Sequence, residues 1–238
     1  MSEKPFQFKQ FTIHQDKTAM KVGTDGVLLG SWVSLNSNPF SILDIGAGTG
    51  VIALMAAQRS GAEVIDAIEL NEEAYEQTVE NFEQSDWGDR LFCYHASLQK
   101  FAEEIDDEYD LIISNPPFYT STYKEMDENR AQARHTESLS YSELLTGVSK
   151  LLSKNGSCAF IIPFNEEKDF VSKANKLGLF INKLTRVKGS ENSKIKRSLL
   201  QMSYLEKDIE LNELVIEIDR HVYTEDYIKL VQDFYLKM

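Results

Sequence analysis

Short apolar runs alternate along this chain with longer stretches in which apolar residues recur every three or four positions. Ser41–Ile45, Val64–Glu69, Leu91–His95, Tyr109–Ser114 and Ser157–Ile162 read as strands, and helices are expected near residues 50–60, 71–85, 98–104 and 138–153. That rhythm predicts βαβ units with right-handed crossovers, hence an α/β fold built on a doubly wound, mostly parallel sheet. After residue 178 the period changes. Leu179–Val187 and Ser198–Leu205 alternate like an antiparallel hairpin joined by the polar stretch Lys188–Arg197, so the sheet is expected to have seven strands and to end in that hairpin. Residues 1–36 read as an N-terminal cap segment and 37–238 as one domain, closed by a helical pattern over Thr224–Leu236 with Thr224 as its N-cap.

Composition narrows the class. The chain has 238 residues, 42% hydrophobic and 26% charged, enough to bury a core and unlike a disordered chain or a disulfide-stapled miniprotein. Cys93 and Cys158 lie far apart in apolar runs, which excludes a disulfide framework and a cysteine zinc site and fits a reducing cytosol. His14, His95, His135 and His221 lack metal-site spacing, so no metal is expected. The start, MSEKPFQFKQ, carries charge where a secretory signal is apolar, and no apolar run approaches the roughly 18 residues of a membrane span. The expectation is a cytoplasmic protein with no membrane contact and no obligatory protein partner.

Charge changes the picture in one respect. A net charge of −13 argues by itself against nucleic acid, but residues 37–120 hold 17 acids against 3 bases while 136–200 hold 11 bases against 6 acids. A globally acidic chain can still present a basic face.

The first strand runs into Asp44-Ile45-Gly46-Ala47-Gly48-Thr49-Gly50, and the second ends in Glu69. Gly46, Gly48 and Gly50 let the backbone turn tightly and approach a ligand, and an acid at the next strand end can accept hydrogen bonds from a ribose diol. Two cofactors compete for such a loop. Gly48-x-Gly50-x-x-Ala53 fits a relaxed dinucleotide fingerprint, whereas Asp44-x-Gly46-x-Gly48-x-Gly50 is the form used for S-adenosylmethionine. Asp44 favours the latter, since a carboxylate there attracts the methionyl ammonium and would repel a pyrophosphate.

The fourth strand runs into Asn115-Pro116-Pro117-Phe118, at the carboxyl edge where open α/β sheets bind ligands. An exocyclic amine on an aromatic base is a poor nucleophile because its lone pair is delocalised into the ring. If the Asn115 side-chain oxygen and the Pro116 carbonyl each accept one N–H, the nitrogen is drawn toward tetrahedral geometry and no strong base is required. Phe118 offers a stacking face for a planar group.

With both motifs on one sheet, residues 35–180 resemble the class I S-adenosylmethionine-dependent N-methyltransferases, whose fold is Rossmann-like. Phe8-Lys9-Gln10-Phe11, the run Ala19 to Gly30, Arg130-Ala131-Gln132-Ala133-Arg134 and Phe234-Tyr235-Leu236 extend a closer resemblance, to the bacterial tRNA1(Val) adenine-37 N6-methyltransferases, over nearly the whole chain. That resemblance implies S-adenosylmethionine as donor and, as acceptor, the amino group of the adenine just 3′ of a tRNA anticodon. Such enzymes carry an acid after the third strand, against the cofactor's adenine. Here the stretch reads His95-Ala96-Ser97-Leu98, and Ser97, a weaker acceptor than a carboxylate, stands in its place.

Lys21 and Thr24 precede the first strand in a segment that closes over the cofactor in related folds; they are candidates for the methionyl carboxylate, or belong to a plain helix start with Thr24 or Asp25 as N-cap. Tyr119 and Tyr123 follow the Asn-Pro-Pro-Phe loop. Arg130 and Arg134 sit four apart beyond it, and Lys183, Arg186, Lys188, Lys194, Lys196 and Arg197 surround the hairpin, so these cations could contact RNA phosphates or form a solvated charged face. Competing functions are methylation of another nucleic-acid amine, or of a protein glutamine, whose planar amide could use the same acceptors. Phe118, where the glutamine enzymes carry Tyr, favours nucleic acid. A dinucleotide oxidoreductase leaves Asn115–Phe118 unexplained, and an RNA chaperone without turnover would not need them.

Overall fold

Along β3 (Ser41–Ile45), β6 (Tyr109–Ser114) and β7 (Leu152–Pro163), successive side chains enter opposite cores, as the two-residue strand period requires. Ile42, Leu111, Ile113, Ala159 and Ile161 join one cluster; Leu43, Ile112, Cys158, Phe160 and Ile162 join the other. Strands buried on both faces need helices on both faces. The computed structural model, which describes residues 4–117 and 139–238, supplies them.

One face is covered by α1 (Thr24–Trp32), α2 (Val51–Arg59) and α7 (Glu225–Val231), with Phe82 of α3 (Glu72–Glu83); the other by α4 (Leu98–Glu104), α5 (Tyr141–Leu151) and α6 (Glu167–Lys176). β4 (Val64–Glu69) and β5 (Leu91–His95) complete the parallel part of the sheet, in the order β7-β6-β3-β4-β5. β9 (Ile195–Ser203) then pairs antiparallel with β7, and β8 (Phe180–Ser190) antiparallel with β9. This is the expected doubly wound fold ending in a hairpin, with two corrections. β10 (Glu210–Asp219) adds parallel to β8 and β11 (Val222–Tyr223) antiparallel to β10, so among the described residues the sheet has nine strands rather than seven. β10 is an acidic strand largely open to solvent, with Leu214 its one buried residue, and so lacks the apolar run of an interior strand. The hairpin strands also run further than expected: Lys188, Lys196 and Arg197 are strand residues, and only 191–194 remain as the turn.

The chain ends meet. β1 (Phe6–Gln7) and β2 (Thr12–Ile13) form a short ribbon, Phe8 bridges to Tyr235, and the Lys9 ammonium donates to the carbonyls of Gln232 and Met238. Among the described residues no helix is long and apolar enough to cross a membrane.

Candidate active site

At the carboxyl edge of the parallel strands lies a cavity of about 650 Å³. Its walls follow the sheet order: Ala96, Ser97 and Leu98 after β5, Glu69 to Asn71 at the end of β4, Gly46 and Gly48 after β3, and Asn115 to Pro117 after β6. The strand-end pattern of the sequence thus converges on one space.

The glycine loop is set by backbone constraints. Gly46, Gly48 and Gly50 all have positive φ (75°, 60° and 76°), a region costly for residues with a Cβ. Their roles differ. A Cβ on Gly46 or Gly48 would meet nothing within 4 Å, so the space they leave open belongs to the cavity; a Cβ on Gly50 would come within 2.6 Å of the Phe82 ring. Gly50 therefore serves the seating of α2 on α3. Buried polar residues of α3 tie the loop down: the Thr78 hydroxyl donates to Gly48 O (2.9 Å), and the Asn81 amide donates to Thr49 O (2.9 Å) and His14 O (2.8 Å). Gln77 accepts from Lys17 N (3.0 Å), so the same helix face also anchors the segment that brings Thr18, Ala19 and Met20 over the cavity.

Glu69 is held at the rim by two backbone amides, Gly48 N on one carboxylate oxygen and Asn71 N on the other, both 2.9 Å. Each oxygen keeps a lone pair for a ligand hydroxyl. Asp44 behaves differently from the sequence expectation. It is fully buried under the loop and does not line the cavity; one oxygen accepts from Ala53 N (3.2 Å), the other has no partner among the described residues, and burial pushes its carboxyl up to about 7. Lys21 and Thr24 also lie outside the lining. The Lys21 ammonium folds back onto the carbonyls of Gln15 and Thr18, and Thr24 opens α1 behind its N-cap Gly23, so the neighbouring Thr18 to Met20 face the cavity instead.

Asn115 and Pro116 do line it. Ser114 donates to Ile45 O (2.8 Å), locking the end of β6 to β3, and the next side chain, Asn115, presents an Oδ1 with no hydrogen-bond partner among the described residues. At the far end Ser97 and Leu98 line the cavity, but the Ser97 hydroxyl already accepts from Lys100 N as the N-cap of α4. Asn71, Gln99, Leu139, Ser140 and Glu143 are lining residues that no motif announced; the capping-box pattern of Ser140 and Glu143 was a readable helix signal but carried no sign of a ligand. Lys194 and Lys196 are exposed on the hairpin, and Arg197 pairs with Asp25 (2.8 Å) opposite Pro163 of β7. Phe118, Tyr119, Tyr123, Arg130 and Arg134 lie outside the described residues. Among the described residues no group of three or more His, Cys, Asp or Glu side chains could hold a metal.

An open glycine cradle, a carboxylate fixed at mid-cavity and apolar walls at Leu70 and Leu98 fit an adenosyl cofactor of extended shape. Residues 27–163 match the family described as Methyltransferase small domain. The chain is 60% identical over 240 residues to a tRNA1(Val) (adenine(37)-N6)-methyltransferase of Christiangramia forsetii, covering all of both proteins. It is 62% identical over 234 residues to the enzyme of that name from Flavobacterium johnsoniae, covering 98% of this chain and all of the relative. Among solved structures, that of a predicted O-methyltransferase from Agrobacterium tumefaciens aligns with a TM-score of 0.67 over 88% of this chain and 96% of its own, at 19% identity, a likeness of fold.

Proposed function

The chain belongs to the Methyltransferase small domain family and, within it, to the tRNA1(Val) (adenine(37)-N6)-methyltransferases, and from that premise we infer how its own residues carry the reaction. It methylates N6 of adenine 37 in the anticodon loop of tRNA1(Val), with S-adenosylmethionine as donor. The cofactor, when bound, would supply an electrophilic methyl group on a sulfonium, whose S–C bond breaks as the methyl is transferred so that a neutral thioether is left.

Gly46 and Gly48 allow the backbone to approach the cofactor, and Glu69 accepts its ribose hydroxyls while Gly48 N and Asn71 N hold the carboxylate in place. Thr18 to Met20 close the cavity on the side where Lys21 and Thr24 were expected. Asp44 acts from beneath, as a buried carboxyl that steadies the start of α2 through Ala53 N.

Asn115 Oδ1 and the Pro116 carbonyl accept the two N–H bonds of the target amine, which directs its lone pair out of the ring plane and stabilises positive charge as the N–C bond forms. The surplus proton then leaves to water. The observation that supports this reading is the unpartnered Oδ1 of Asn115, a residue that lines the same cavity as Glu69 and the glycine loop. Phe118 and Tyr119 offer stacking faces for the extruded base, and Arg130, Arg134, Lys194, Lys196 and Arg197 offer charge to the flanking phosphates.

The test incubates the protein with methyl-labelled S-adenosylmethionine and tRNA lacking the modification, then maps the product by mass spectrometry. Label on N6 of the adenine 3′ to the anticodon is the expected outcome. Label on another nucleoside, or on a protein glutamine, overturns the reading.

A further inference from the structure

We propose that Glu143, on α5, is the carboxylate that selects the adenine of the cofactor by accepting its exocyclic amine, a role that rests on the adenosyl reading of the cavity. The order of the strand ends fixes where that adenine lies. Asn115 follows β6, Gly46 follows β3, Glu69 ends β4 and Ser97 follows β5, and these strands are neighbours in that order. A cofactor whose methyl reaches Asn115 and whose ribose meets Glu69 must place its base one strand further on, at the β5 end. Leu70 and Leu98 give that end apolar surface for ring faces.

An adenine there presents one N–H-bearing edge group that needs an acceptor. Ser97 is the weaker candidate, because its hydroxyl is uncharged and already accepts from Lys100 N, which leaves it one lone pair. Besides Glu69, Glu143 is the one carboxylate among the described residues that line the cavity. It is brought to the β5 end because α5 packs closely on α4: Gly147 leaves room for Leu98, which would lie 2.6 Å from a Cβ at that position.

Glu143 is also fixed and ionised. Its Oε2 accepts from Ser140 N at 2.9 Å in a capping box. Hydrogen bonds from the Ser140 hydroxyl and backbone N–H, and from the Gln99 side chain, hold its carboxyl below the usual range. A carboxylate has about four lone-pair positions, so these contacts leave capacity for a ligand N–H. A charged acceptor aimed at the 6-position favours a 6-amino purine and repels the 6-oxo group of a hypoxanthine, whose remaining donor on that edge, N1–H, is displaced from where the amine would be.

The test uses two probes and three proteins. Calorimetry measures S-adenosylhomocysteine and its 6-oxo counterpart, S-inosylhomocysteine, on the wild type, Glu143→Gln and Ser140→Ala. The wild type should prefer the adenosyl probe by at least about tenfold, the scale of one hydrogen bond to a charged group. Glutamine keeps the capping box at this helix position, so Glu143→Gln should fold normally, and its amide can donate to the 6-oxo group. The preference should therefore fall about tenfold or more, by weaker adenosyl binding and stronger inosyl binding. Ser140→Ala removes the cap and keeps the carboxylate; it should lower thermal stability and leave the preference unchanged. An unaltered preference in Glu143→Gln overturns the assignment, as does an equal loss in Ser140→Ala, which would reduce Glu143 to a helix cap. Failure of the wild type to bind either probe would instead remove the adenosyl reading itself, and this assignment with it.

Discussion

Two carboxyl-edge side chains, Asp44 and Asn115, each bury an oxygen without a partner among the described residues, and the two oxygens face different problems. Asn115 lines the cavity, and in the proposed reaction its oxygen takes its missing partner from a ligand N–H. Asn115→Ala should lower turnover by about 10²–10³, the usual scale for one transition-state hydrogen-bond partner, while S-adenosylmethionine affinity stays near wild type. Single-turnover rates beside calorimetry decide this, and near-wild-type turnover removes Asn115 from the chemistry. Asp44 is sealed in, and its carboxyl is pushed up to about 7 by burial, opposed in part by the Ala53 N–H. The native state then keeps a proton that the unfolded chain releases near pH 4. That contribution to stability is fully present below pH 4, falls as pH rises toward 7, and is flat above. Asp44→Asn retains an acceptor for Ala53 and cannot ionise. In ligand-free protein the variant should gain on the wild type between pH 5 and pH 8, by a few kcal/mol at most. Denaturant titrations at the two pH values measure the difference; a constant gap would mean an ordinary Asp44 carboxyl.

At the scale of elements, the loop between β3 and α2 separates binding from stability within five residues. Gly46→Ala should cost roughly 1–2 kcal/mol for its left-handed backbone and place a methyl group in the cavity, so that cofactor affinity falls at least about tenfold in a protein that still folds. Gly50→Ala drives its Cβ into Phe82 and should act mainly on thermal stability, a contrast that melting curves and cofactor titrations would expose. The loop, Glu69 and Asn115 could be located because each lies where a strand stops, at an apolar run that meets glycine, proline or, after Glu69, the polar start of a helix. Thr18 to Met20 and Glu143 could not. Their positions depend on how α3 holds residues 14–17 and how α5 leans on α4, which are packing relations between segments far apart in the chain. The buried polar face of α3 has no sequence signature for a related reason: Gln77, Thr78 and Asn81 are polar side chains whose burial depends on partners in two other loops, the carbonyls and amides they bind. Phe8 to Phe11 and Phe234 to Leu236 stood out in the sequence only through resemblance, and the fold gives them a physical role, since Phe8 stacks on Phe11 and Tyr235 and closes the two chain ends on each other.

For the molecule as a whole, the question is how a chain of net charge −13 holds a polyanion. Its acids concentrate in residues 37–120, and its surplus of bases in 136–200. The β8–β9 turn brings part of that surplus to the working edge: Arg197 lies opposite Pro163 at the end of β7, so residues 191–194 project past the same edge of the sheet as Asn115. Arg197 is engaged by Asp25 and Lys188 by Glu213, whereas Lys194 and Lys196 are exposed on the turn and the strand after it. If RNA phosphates bind there they would release counterions, and tRNA affinity should then fall steeply with salt even though the protein is acidic. Reversing Lys194 and Lys196 to Glu should weaken tRNA binding and flatten the slope of log affinity against log salt by about 0.7–0.9 for each phosphate that is no longer neutralised, with cofactor affinity unchanged. Filter binding from about 50 to 200 mM salt reads both quantities. If affinity and slope both survive the double reversal, the hairpin is a solvated charged surface and the RNA is gripped elsewhere along the edge.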